Sequence, residues 1–116
     1  NDLNSDYNGN EIALDYFEIY QSIATDYPNV KTYILSVNSI DENKINKFWP
    51  SSKRTNKKIR LFNKTILEKI DKLNLNNIYY CDSNNDLKFD TYDGLHYTQN
   101  TNKKIINYIA NKCIKF

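Results

Sequence analysis

The sequence predicts an α/β fold, and three observations carry that prediction. Apolar residues recur at helical spacing over 11–27, over 59–73 and again after Thr98. Two short runs, Val30 to Val37 and Asn76 to Cys81, are apolar and rich in β-branched or aromatic residues, as buried parallel strands are. The two kinds of segment alternate, so that strand, helix and strand follow one another as in a βαβ crossover.

Composition bounds what such a fold can do. A chain of 116 residues suits one small domain, able to bury about two-thirds of its unfolded surface. Lys and Arg number 16 against 14 Asp and Glu, a net charge of +2. That balance argues against a nucleic acid or an acidic membrane as partner. No apolar run approaches the roughly 20 residues that span a bilayer. Nothing in the sequence calls for a cofactor, and the compartment is left open. Asn, Lys, Ile and Tyr are used heavily and Met is absent, which reads as a coding bias rather than a functional tract. Cys81 closes the second strand and Cys113 lies on the apolar face of the last helix. With no further cysteine and no C-x-x-C pair, both read as buried free thiols.

In chain order, Asn1 to Asn10 forms a polar loop. Ile12, Tyr16, Ile19, Tyr20, Ile23 and Tyr27 then mark the inner face of a helix with acidic residues early, where the helix dipole favours them. The tyrosines read as core and rim rather than as a sugar platform. Pro28-Asn29 stops this helix. The first strand ends at Ser36-Val37-Asn38-Ser39, at the carboxyl end where open α/β sheets place ligand crevices. Asn38 either faces such a crevice or forms the turn. Residues 40–56 read as a polar connection whose Phe48-Trp49-Pro50 either walls a substrate pocket or anchors the loop. Lys53, Arg54, Lys57, Lys58 and Arg60 read as a solvated basic face rather than a phosphate site. Ile59, Phe62, Ile66, Ile70 and Leu73 line a second helix before the second strand. Two strands alone make a poor sheet whose edge wants a partner.

Asp82, Asn84 and Asp86 alternate as oxygen ligands of a calcium loop do. Leu87 stands where that loop needs glycine and Asp93 where it needs glutamate, so the reading fails. Asp90, Asp93 and His96 are too thin a set for a metal without a second histidine.

The stretch with the most chemistry is Asp93-Gly94-Leu95-His96-Tyr97-Thr98, which holds the sole histidine. Thr98 can cap a helix carrying Ile105, Ile106, Ile109 and Cys113. His96 is therefore expected on a short turn at the mouth of that helix, within reach of Asp93. Such a pair is the acid–base half of a hydrolase triad, or else an ordinary surface turn.

D-G-L-H-Y-T with its following helix resembles the last block of the SGNH/GDSL hydrolases, whose D-x-x-H supplies catalytic Asp and His. Asn1-Asp2 resembles the end of that family's G-x-N-D block, and Ile34-Leu35-Ser36-Val37-Asn38 resembles a strand end between the two. The family's G-D-S block and the glycine of its next block have no counterpart here, and Ser39 stands where many members have proline. The resemblance implies the C-terminal portion, over 1–116, of a flavodoxin-like three-layer α/β/α SGNH hydrolase domain. The N-terminal segment bearing the nucleophilic serine would be absent. It further implies His96 as general base, Asp93 as its orienting acid and Asn1 as an oxyanion-hole donor. Asn38 and Trp49 are candidate substrate contacts, and the implied substrate is a small ester such as an acylated carbohydrate or a lipid ester. This chain alone is then expected to be inactive. The alternative is a non-catalytic α/β module, a pseudoenzyme that binds carbohydrate or another protein.

Overall fold

Helix α1 (Gly9–Asp26) leads into strand β1 (Thr32–Leu35), helix α2 (Glu42–Phe48), helix α3 (Asn56–Asp71), strand β2 (Ile78–Cys81) and helix α4 (Gln99–Tyr108). The last of these continues as a π-helical segment over Ile109–Ile114. This computed structural model describes residues 9–115. Asn1, the expected oxyanion donor, and most of the expected polar loop lie outside the described residues.

The two strands pair in parallel, with Thr32 opposite Ile78 and Leu35 opposite Cys81. One further bond at each end, Thr32 N–H to the Asn77 carbonyl (2.8 Å) and Ser36 N–H to the Cys81 carbonyl (2.9 Å), lengthens the ladder. Parallel strands need a crossover, and α2 and α3 make it. Because strand side chains alternate between faces, Ile34 and Ile78 point to one side. There they join Ile12, Ala13, Phe17, Phe62 and Ile66 in the main core. Tyr33 and Tyr79 share the other face and stack at 5.1 Å. Both readings of the strands, as short, parallel and helix-flanked, therefore hold at the level of the α/β class.

Helix α1 departs from its expected face. Its buried residues are Gly9, Ile12, Ala13, Phe17 and Ala24, with Tyr16 and Tyr20 partly covered, whereas Ile19, Ile23 and Tyr27 are exposed. The small residues decide the rotation. Ala13 and Ala24 let the helix lie close to its neighbours, and a Cβ on Gly9 would collide with the Lys58 carbonyl of α3. Gly9 and Asn10 thus begin the helix rather than end a loop, and Asn10 Oδ1 accepts from Thr65 Oγ1 at 3.0 Å. At the other end the buried Asn77 carboxamide donates to the carbonyls of Ala24, Tyr27 and Val30. It satisfies acceptors that a helix end leaves open.

The thiol reading of the cysteines is overturned. Cys81 and Cys113 form a disulfide across 32 residues, Cα–Cα 5.6 Å. Cys81 shares the outer sheet face with Leu35, and the π-helical segment lies against that face, bringing Cys113 to it. Sequence spacing alone carries no trace of that juxtaposition.

The connection over 40–56 also holds more order than its composition suggests. Asp41 caps α2, its side chain accepting the Lys44 N–H. Ile45 of α2 packs with Ile40 and Ile59, against Val37 and Leu95, in a second small core. This cluster ties α2 and α3 to the turn that carries His96.

Candidate active site

A capping residue and an aspartate turn build the site. Thr98 caps α4 by accepting the Thr101 N–H, the helix start that the sequence announces. Just before it, the chain folds back on itself: Tyr92 N–H donates to the His96 carbonyl (2.9 Å) and Thr98 N–H to the Asp90 carbonyl (3.0 Å). Thr91 and Tyr97 face each other across this loop. Gly94, at its tip, has φ +95°, a conformation that other residues adopt only with strain.

Within the turn, Asp93 Oδ1 accepts the backbone N–H of His96 (2.8 Å) and of Leu95 (3.0 Å). Asp93 Oδ2 lies 2.7 Å from His96 Nδ1. Three donors on one carboxylate favour its charged form. The His96 backbone bond, followed by the imidazole bond, holds the Asp93 carboxyl well below the usual carboxylate range. An ionised acceptor at Nδ1 places the imidazole proton there. Nε2 has no partner among the described residues, and the side chain is 65% exposed. The arrangement can therefore take a proton from a hydroxyl brought to Nε2, provided that hydroxyl comes from outside the described residues.

Around this pair the structure sets two shallow concavities. One, of about 260 Å³, is lined by Phe48, Trp49, Pro50, Ser51, Ser52 and Arg54. The Trp49 ring stands 6.5 Å from the His96 ring and is 43% exposed, with Phe48 more so. The aromatic pair thus forms an open wall beside His96 rather than an anchor sunk in the body. The other, of about 280 Å³, is lined by Val37, Asn38, Ile40, Arg54, Ile59, Leu95 and Tyr97, which includes both chain neighbours of His96.

Asn38 forms no turn but joins the strand ends at the rim of the second concavity. Its Oδ1 accepts from Ser36 Oγ (3.1 Å) and Ser83 Oγ (2.6 Å), joining the carboxyl ends of the two strands. Its Nδ2 donors have no partner among the described residues and stand at the edge of the second concavity. Ser39 makes use of not being proline. Its N–H and hydroxyl both reach Asn84 Oδ1 (2.9 and 3.1 Å), and its carbonyl accepts the Tyr97 hydroxyl at 2.7 Å. Burial pushes that phenol up to about 12.

The alternating oxygen-bearing residues Asp82, Asn84 and Asp86 are occupied internally. Asp82 Oδ1 accepts the Asn84 N–H, Asn84 Nδ2 donates to the Val37 carbonyl, and Asp86 accepts the Tyr108 hydroxyl. Among the described residues no three His, Cys, Asp or Glu side chains converge as a metal-holding group, and no helix is long and apolar enough to cross a membrane. Two contributors escaped the sequence reading, Lys44 and Thr91. The Lys44 ammonium donates to the Thr91 carbonyl at 2.7 Å, and Thr91 Oγ1 accepts the Gly94 N–H at 2.9 Å. An aspartate at 41 is a weak N-cap signal that could have drawn attention to Lys44, whereas nothing local points to Thr91. Comparison with known proteins finds no family model, no curated protein and no solved structure that matches this chain.

Proposed function

We propose that this chain is the C-terminal portion of an SGNH/GDSL-type ester hydrolase, contributing the acid–base pair to a serine nucleophile carried by an upstream segment. The observation that carries the reading is the 2.7 Å bond from His96 Nδ1 to an aspartate that the same turn keeps ionised, with the rest of the ring open to solvent. His96 takes the proton of the attacking serine at Nε2 and returns it to the leaving alcohol. Asp93 fixes the tautomer and stabilises the imidazolium that forms. Asn1 donates its side-chain N–H to the developing oxyanion. Trp49 and Asn38 flank the scissile bond of a small ester, either an acylated carbohydrate or a lipid ester.

The sheet supports the same reading. Among the described residues β1 pairs with β2 alone, and Leu35 at the end of β1 is 49% exposed. Such an edge and face fit further parallel strands and a covering helix, as in a flavodoxin-like three-layer domain.

Fluorophosphonate labelling joined to ester hydrolysis tests the proposal. This chain alone is expected to take no label. Joined to an upstream strand bearing G-D-S, it is expected to label at that serine and to hydrolyse a short-chain ester, and His96→Ala to remove nearly all turnover. Specific labelling of the isolated chain, or most activity surviving His96→Ala, overturns the assignment.

A further inference from the structure

Helix α2 and its cap grip the turn of Asp93 and His96 by two hydrogen bonds and one close approach. The Asp41 N–H donates to the Gly94 carbonyl at 3.0 Å. The Lys44 ammonium donates to the Thr91 carbonyl at 2.7 Å, and Thr91, itself buried, holds the Gly94 N–H through its hydroxyl at 2.9 Å. Gly94 lies so close to α2 that a Cβ would stand 2.6 Å from both the Asp41 carbonyl oxygen and the Ile45 nitrogen. Beneath the grip, Ile45 is almost fully buried, so α2 has little freedom to shift. The same helix ends at Trp49, its C-cap, whose ring faces His96.

A lysine on a helix this short needs no partner, since its chain can extend into water. Here the ammonium instead meets a backbone carbonyl 47 residues away, two positions before Asp93. Hydrogen bonds with a charged donor are the stronger ones. This one fixes the Thr91–Tyr92 peptide, one residue ahead of the peptide that carries Asp93.

We propose that Lys44 is a positioning residue for the Asp93–His96 pair: by fixing the Thr91 carbonyl, and through Thr91 the Gly94 N–H, it sets the turn in which the carboxylate meets the imidazole. Lys44 touches neither member and acts through two intermediates. The inference concerns where one imidazole is held in this chain. It gains catalytic meaning from the hydrolase reading, yet its test needs no turnover, so the two can fail separately.

The test is the tautomer of His96 in the ¹⁵N-histidine-labelled chain, read from two-bond proton–nitrogen spectra with the imidazole neutral. The wild type is expected to show the Nδ1–H form. In Lys44→Met, loss of a charge-assisted bond is expected to raise the ratio of Nε2–H to Nδ1–H by about tenfold, and Lys44→Arg, which keeps a donor, to restore it. A lysine with a merely structural role would lower Tm and leave this ratio alone. An unchanged ratio in folded Lys44→Met overturns the proposal, as does a folded Lys44→Arg that behaves like Lys44→Met. Should Lys44→Met not fold, Lys44→Gln is read in the same way, and failure of both to fold assigns Lys44 to the fold and overturns the positioning role.

Discussion

The carboxylate of Asp93 holds His96 at two points at once, Oδ1 on its backbone N–H at 2.8 Å and Oδ2 on its ring Nδ1 at 2.7 Å. One oxygen builds the turn and the other orients the imidazole, so the two functions can be separated by mutation. Asp93→Asn keeps an oxygen for the backbone donors and turns an N–H₂ toward Nδ1, which moves the ring proton to Nε2. Under the proposed function, kcat of the hydrolase assembled with its nucleophile segment is expected to fall about 10⁴-fold, the magnitude known for the same change in a Ser-His-Asp triad, with KM nearly unchanged. A loss confined to KM would show that the pair binds rather than catalyses. The acid dependence follows from the direction of the Asp93 shift. Its folded pKa is depressed, so its contribution to stability is present above the ordinary carboxylate range. That contribution is lost only as pH falls through the lower folded value. A carbon-13 titration should find Asp93 still ionised below the ordinary carboxylate range.

Gly94 carries two constraints, and they predict a large effect from a one-carbon change. Its φ of +95° is unfavourable for any side chain, and a Cβ would press on the α2 backbone at Asp41 and Ile45. Gly94→Ala is expected to destabilise the chain by about 1–3 kcal/mol, the cost of a strained backbone position. It should also shift the amide resonances of Asp41 and Ile45. Urea unfolding with assigned spectra checks both. A loss within a few tenths of a kcal/mol would mean that α2 yields easily and does not brace the turn.

What could be read from the sequence was local, and what could not was long-range. The Thr98 cap, the Asp93 turn and the stop at Pro28 each depend on a few adjacent residues, and the two strands announce themselves by β-branched and aromatic content. The inner face of α1 was misread because isoleucines outweigh alanines in any apolar count. Yet it is the small side chains of Ala13 and Ala24 that let helix and core approach. Helix α2 escaped notice because seven residues with one buried isoleucine have no period to detect. In the site, Lys44 with Thr91, Asn38 with Ser83 and Ser39 with Tyr97 pair across 47, 45 and 58 residues. Only the folded chain brings them together.

The disulfide is the clearest such case, and it makes a measurable claim. Cys81 and Cys113 close a loop with a separation of 32, which in the chain-entropy account stabilises by about 3–4 kcal/mol. Reduction, or Cys81→Ser with Cys113→Ser, should lower the unfolding free energy by up to that amount. The π-helical segment should lose hydrogen-exchange protection first, since the bridge fastens it to β2. Denaturation with and without reductant reads the total. Equal stability in both would show that packing alone holds the last helix.

Tyr80 supplies a prediction of opposite sign. Its side chain packs against the main core beside Tyr16 and Tyr20, and its hydroxyl is buried with no partner among the described residues. Burial, with Asp82 adding to it, pushes the phenol up. A buried donor without an acceptor costs about 1–3 kcal/mol, whereas the ring itself contributes packing. Tyr80→Phe removes the cost and keeps the ring, so stability is expected to rise by about 1 kcal/mol, seen as a higher urea midpoint at unchanged slope. A drop instead would mean that the hydroxyl is hydrogen-bonded in solution and that its bond outweighs the cost of burying it.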